Sequence, residues 1–137
     1  MTPGGRDPDE PRWVTETMLL AIHVRQIERY GGAPGILDES VVCSALARPQ
    51  QRHAYDADAD IADLAAAYLT GFARSQGFRD GNKRTALACA LVFLKINGYE
   101  LHVPPKELYA LTMQAATREI EDGDVAAYLR ERMVEAE

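Results

Sequence analysis

The run Ala86 to Leu94, ALACALVFL, contains no charged side chain. Wound at helical pitch it is apolar on every face, and a helix without a polar side must be enclosed by others. The spacing predicts a helix over about Asn82–Asn97, stopped by Gly98. The expected architecture is therefore an all-α bundle around that central buried helix.

The remaining segments supply the surrounding helices. Thr15 to Tyr30 carries Met18, Leu19, Ile22 and Ile27 at helical spacing, with Thr15 as N-cap and Gly31-Gly32 as the stop. Asp38 opens a second helix with Val41, Val42, Ala45 and Leu46. It is expected to stop at Arg48-Pro49, because a residue before proline disfavours helix. QQRHAYDADAD (50–60) has no apolar period and reads as an exposed loop or short hairpin. Asp60 then starts a helix with Ile61, Leu64, Tyr68 and Phe72 on one stripe, ending near Gly77. YELHV is a brief extended link, and Pro104-Pro105 opens a helix with Leu108, Leu111 and Ala115. Asp122-Gly123-Asp124 leads into a last helix carrying Val125, Tyr128, Leu129 and Met133.

With 137 residues the chain is the size of one domain. Residues 1–12, rich in Pro, Gly and acid, read as a disordered leader to a domain over 13–137. A formal net charge of −6 provides no overall cationic field, so nucleic acid is not an expected partner. Cys43 and Cys89 lie in apolar helical contexts and read as reduced core thiols. The sequence has no run of about 18 apolar residues, so a membrane partner is not expected and a cytoplasmic location is.

Directly before the apolar helix stands GFRDGNKR. A helix start presents unpaired N–H groups and the positive end of the peptide dipoles, which favours anions. Gly81 lets backbone approach an oxyanion closely; Lys83 adds a point charge, and Arg84 a forked donor suited to phosphate. Asp80 is acidic among cations, which makes sense if it holds a divalent metal bridging phosphates. The pattern reads as a magnesium–polyphosphate cradle. The plain alternative is a solvated turn in which Asp80 merely caps the helix. A P-loop is excluded: three residues, not four, separate Gly77 from Gly81, and Asn82 intervenes before Lys83.

GFRDGNKRTAL resembles the signature loop of the Fic/Doc (Fido-fold) family, where His-Pro-Phe, a variable residue and Asp-Gly-Asn-Lys-Arg link two central helices. AIHVRQIERYGGAPGILDESVVCSALARPQ and ALVFLKINGYEL are similar to the Doc, or death-on-curing, branch, and the likeness spans about Trp13 to Met133. It implies a Fic/Doc-type helical bundle that uses ATP and Mg2+ to modify a protein hydroxyl. Most Fic members transfer AMP, whereas the Doc branch phosphorylates a threonine of elongation factor Tu. By the same resemblance Asp80 would hold the metal, Gly81 and Asn82 would help form an anion hole, and Lys83 and Arg84 would grip phosphates. Phe78 would anchor the loop. A target-aligning flap would fall within RPQQRHAYDADAD, and a small antitoxin would be the cognate partner.

The sequence departs from the family at the general base. Gln76 stands at the histidine position, followed by Gly77 where proline is usual. An amide does not take up a proton near neutral pH, so the expected consequence is a slowed enzyme with its nucleotide site intact. His53, in the expected flap, is the histidine weighed as a substitute base. His23 reads as structural and His102 as part of a polar link. TREIED, Thr117 to Asp122, only approximates the inhibitory helix motif of some Fic proteins. Three functions stay open: a Doc-like transferase, a pseudoenzyme that binds nucleotide or antitoxin, and a helical interaction module with a degenerate site.

Overall fold

The computed structural model describes residues 10–137. Residues 1–9 of the expected leader lie outside the described residues; of its last three, Pro11 is buried and the Arg12 N–H donates to Asn97 Oδ1 at 2.8 Å. Helices α1 (Glu16–Tyr30), α2 (Glu39–Tyr55), α3 (Ile61–Ala73) and α4 (Asn82–Ile96) are followed by strand β1 (Tyr99–Leu101). Helices α5 (Pro105–Ala116) and α6 (Asp122–Arg132) and strand β2 (Met133–Glu135) complete the chain. The all-α class is as expected.

Local chemistry sets most helix ends. Thr15 accepts from the Met18 N–H, Asp38 from those of Ser40 and Val41, and Asp60 forms a capping box with Asp63. Gly31 closes α1 with φ 82°, its N–H bonded to Ile27 O.

The central helix is α3 rather than α4. Along α3 the run Leu64–Thr70 is wholly buried, and the helix touches α2, α4, α5 and α6. Alanines at 62, 65, 66 and 67 allow those four neighbours to approach closely. Helix α4 buries Ala86, Cys89, Ala90, Phe93 and Leu94 but leaves Leu87, Leu91 and Val92 half-covered. An apolar circumference therefore overstated its enclosure.

Helix α2 does not stop at Arg48-Pro49. It continues to Tyr55 with Pro49 inside and buried. Proline in a helix costs about 3 kcal/mol locally, so packing against the core outweighs the preference that predicts a break. The extra turns are secured by Arg52, whose Nε donates to Asp56 at 3.1 Å. Residues Pro49–Tyr55 are thus helix, and the expected exposed loop or hairpin shrinks to residues 56–60.

The C-terminal end also differs from expectation. YELHV supplies β1, which pairs antiparallel with β2, Tyr99 opposite Glu135. Met133 belongs to that strand and not to the last helix. Cys89 is buried as expected, but Cys43 is exposed on α2 and is not a core thiol.

Candidate active site

The loop between α3 and α4 is held from several sides. At its start Arg74 donates to Ala115 O at 2.8 Å and Ile120 O at 2.9 Å, tying it to the α5–α6 turn. That turn contains the first five residues of TREIED, with Arg118 at φ 65°, while its last residue, Asp122, opens α6; the segment is not a continuous helix. Along the loop, residues 35–38 run antiparallel: Arg79 N–H donates to Gly35 O, Leu37 N–H to Gly77 O, and Ile36 bridges Phe78. Gly77 is pressed against α2, where a Cβ would sit 2.6 Å from Val42 Cγ2. A side chain does not fit there, which accounts for glycine at that position.

Phe78 is fully buried, a contribution of about 1.5–3 kcal/mol. Its ring stacks on His23, centroids 3.9 Å apart and planes within 12°. His23 Nε2 lies 2.8 Å from Asp80 O; a carbonyl only accepts, so Nε2 carries the proton. His23 is structural, as its position predicts. Asn82 is also spent on the loop. Its Oδ1 accepts from Phe78 N–H and its Nδ2 donates to Phe78 O, both at 2.9 Å. Its main-chain N–H and the second Nδ2 hydrogen are the donors left to meet an anion.

These restraints leave a cavity of about 440 Å³ lined by Gln76, Arg79, Asp80, Gly81, Lys83 and Arg84, with Tyr30, Gly31, Gly32 and Tyr109 on its other walls. The structure therefore brings all six predicted site residues to one place, Asn82 among the lining. Gly81, at φ 77°, precedes α4, and no side chain among the described residues caps that helix. The first N–H groups of α4 consequently keep their unmet demand for an acceptor. Three cations, Arg79, Lys83 and Arg84, face one carboxylate, Asp80. Among the described residues none of the three makes a side-chain hydrogen bond or ion pair.

Asp80 is oriented by the turn after α1: its Oδ2 accepts from Ala33 N–H at 2.6 Å, leaving Oδ1 free. The described residues offer no cluster of three or more His, Cys, Asp or Glu for a metal cage. A lone carboxylate beside cations and a helix start nonetheless suits Mg2+, which takes one or two carboxylates plus substrate phosphates and water. Asp80 fits that requirement.

His53 does not approach the cavity. Its ring stands edge-on to Trp13 at 5.5 Å and lines a separate hollow with Asp60 and Arg130. His102 is exposed beside Glu100. Among the described residues no histidine lines the cavity. The expected flap is also misplaced: the segment alongside the loop is 31–38, between α1 and α2. Sequence reading gave no role to Arg79, although its charge sits inside the quoted motif. Tyr30 and Tyr109, which line the cavity, and Ala33, which bonds Asp80, carried no local signal because they come from other elements.

The chain is also similar to known proteins. A family model described as the Fic/DOC family matches residues 13–94. "Protein kinase doc" of Escherichia phage P1 is 43% identical over 119 residues, covering 87% of this chain and 94% of the relative. "Toxin Doc" of Mycolicibacterium smegmatis is 38% identical over 103 residues, covering 73% of this chain and 79% of the relative.

Proposed function

Because the chain belongs to the Fic/DOC family, we propose that it is a Doc-type toxin that transfers a phosphoryl group from ATP to a protein hydroxyl, slowed by Gln76. The observation that carries this reading is the start of α4, where, among the described residues, no side chain caps the helix and three cations have no ion-pair partner. An anion is the partner that both the N–H groups and the cations favour. Phosphoryl rather than AMP transfer follows the relative named a protein kinase.

Phosphoryl transfer is mostly positioning and electrostatics. The N–H groups of Asn82, Lys83 and Arg84 would orient the phosphates, while the cations offset charge that otherwise repels an incoming oxygen. Mg2+ held by Asp80 would supply further neutralisation between phosphates. The segment 31–38 borders the cavity and is the natural place for a target strand to be aligned. The target oxygen bonds to the γ-phosphorus as its bond to the β-phosphate oxygen breaks, and ADP leaves. Gln76 accepts a hydrogen bond from the target hydroxyl and orients it without removing the proton, which passes to phosphate oxygen or solvent.

The proposed target is a translation protein such as elongation factor Tu, and the proposed restraint is a separate antitoxin chain, both in the cytoplasm. No helix among the described residues is long and apolar enough to cross a membrane. Calorimetry with ATP and magnesium should show binding that falls about 10- to 100-fold in Arg84→Ala, the loss of charge-assisted hydrogen bonds. Labelled ATP should then mark elongation factor Tu, and expression should arrest growth more strongly in Gln76→His.

A second reading rests on Gln76 together with the lack of a cavity histidine among the described residues. In it the chain binds nucleotide or antitoxin without turnover. Binding with no transfer, even in Gln76→His, selects that reading; no ATP binding at all rejects the transferase and leaves only the antitoxin-binding form of the second reading.

A further inference from the structure

We propose that Tyr30 is a positioning residue of this cradle: its ring holds the Arg84 guanidinium in place through a cation–π contact and leaves the N–H donors of Arg84 free for an anion. The proposal rests on the nucleotide reading above and deepens it.

Tyr30 ends α1 and Arg84 lies in the first turn of α4, so two elements distant in sequence meet here. The guanidinium carbon is 4.9 Å from the Tyr30 ring centroid, inside the range of an effective cation–π contact. Both residues line the cavity. Among the described residues Arg84 has no carboxylate or carbonyl partner, so the ring is the contact that orients it. Arg29 lies farther from the same ring, at 5.8 Å, and is not among the residues lining the cavity.

A ring is a different kind of partner from a carboxylate. Arg130 is fixed by Asp60 at 2.7 Å and Asp63 at 3.2 Å, which occupies its donors and cancels its charge. An aromatic face attracts the cation through its quadrupole, while the donors point outward in the guanidinium plane. Arg84 is thus ordered before an anion arrives, and its charge is kept. Tyr30 is 56% exposed and contributes little to the core, so it can be replaced without dismantling the fold.

The test measures binding of tripolyphosphate and of ATP, each with magnesium, by calorimetry. Tyr30→Leu should weaken both roughly two- to five-fold, the size of a surface cation–π contact, and Tyr30→Phe should retain the affinity. In an Arg84→Ala background Tyr30→Leu should have no further effect. NMR of the unliganded protein should show Arg84 side-chain protons shifted upfield by the ring current, a shift kept in Tyr30→Phe and lost in Tyr30→Leu. A loss for ATP but not tripolyphosphate would mean that the ring meets the base, and overturns the proposal. So would an equal loss without Arg84, failure of Tyr30→Phe to rescue, or absence of the upfield shift. If the unsubstituted protein binds neither ligand, the nucleotide reading and this proposal fall together; if it binds both and Tyr30→Leu changes nothing, the proposal alone falls.

Discussion

Two helix starts in this molecule treat charge in opposite ways. At the start of α3, Asp60 and Asp63 cap the helix and each other, and Arg130 from α6 donates to both. That hydrogen bond from Arg130 holds the Asp60 carboxyl at about 2, below the ordinary carboxylate range. At the start of α4, Gly81 caps nothing with a side chain, and Lys83, Arg84 and Arg79 keep their charge free among the described residues. One cluster has spent its electrostatics on the fold. The other leaves its charges without ion-pair partners among the described residues, at an uncapped helix start, and only the second lies beside a cavity lined by the family motif.

Gln76→His acts on the chemistry of the second cluster alone and has the largest expected effect. Restoring a general base should raise the rate of phosphoryl transfer by about 10²–10⁴, while calorimetric affinity for ATP with magnesium changes by no more than a few-fold. If affinity moved as far as rate, binding and proton transfer would not be separable in this cavity.

Asn82→Ala tests whether the free cluster depends on a rigid loop. It leaves the buried N–H and C=O of Phe78 without their partner, a cost of about 1–3 kcal/mol in denaturant unfolding. Nucleotide affinity should fall with it. Affinity lost at unchanged stability would show instead that the Asn82 amide meets the ligand.

Arg130→Ala should have the smallest effect, about 0.2–1 kcal/mol at neutral pH for a largely exposed ion pair, with ATP binding unchanged. The pH dependence follows from the depressed Asp60 carboxyl. A carboxyl more acidic in the folded chain stabilises above its unfolded value, about 4, and that contribution fades as pH falls towards 2. The difference in Tm between the two proteins should therefore close between about pH 4 and pH 2. A difference persisting at pH 2 would assign the Arg130 effect to packing.

Much of the fold was legible because its signals are local. Thr15, Asp38 and Asp60 cap through bonds to N–H groups two or three residues ahead, so a short window contains the whole interaction. The break expected at Pro49 failed because its local cost is offset by burial of that ring, which no window around residue 49 reports. The choice of α4 as the centre failed similarly: ALACALVFL states that every face is apolar, but not how many neighbours arrive to cover them. Enclosure went to the alanine-rich α3, against which four helices can close.

The candidate site divides the same way. Sequence alone determined that Asp80, Gly81, Asn82, Lys83 and Arg84 would stand together at a helix start, since contiguous residues on one turn cannot be far apart; that Gln76 faces the same cavity was decided by the fold of the loop. It also put an amide, Gln76, where the resemblance to the family leads one to expect a histidine. Tertiary structure alone decided that Ala33 orients Asp80, that Tyr30 lies beneath Arg84, that 31–38 is the segment bordering the cavity, and that His53 is turned away against Trp13. Those contacts join residues about 40 to 54 positions apart, and chain neighbourhood carries no record of which surfaces folding will bring face to face.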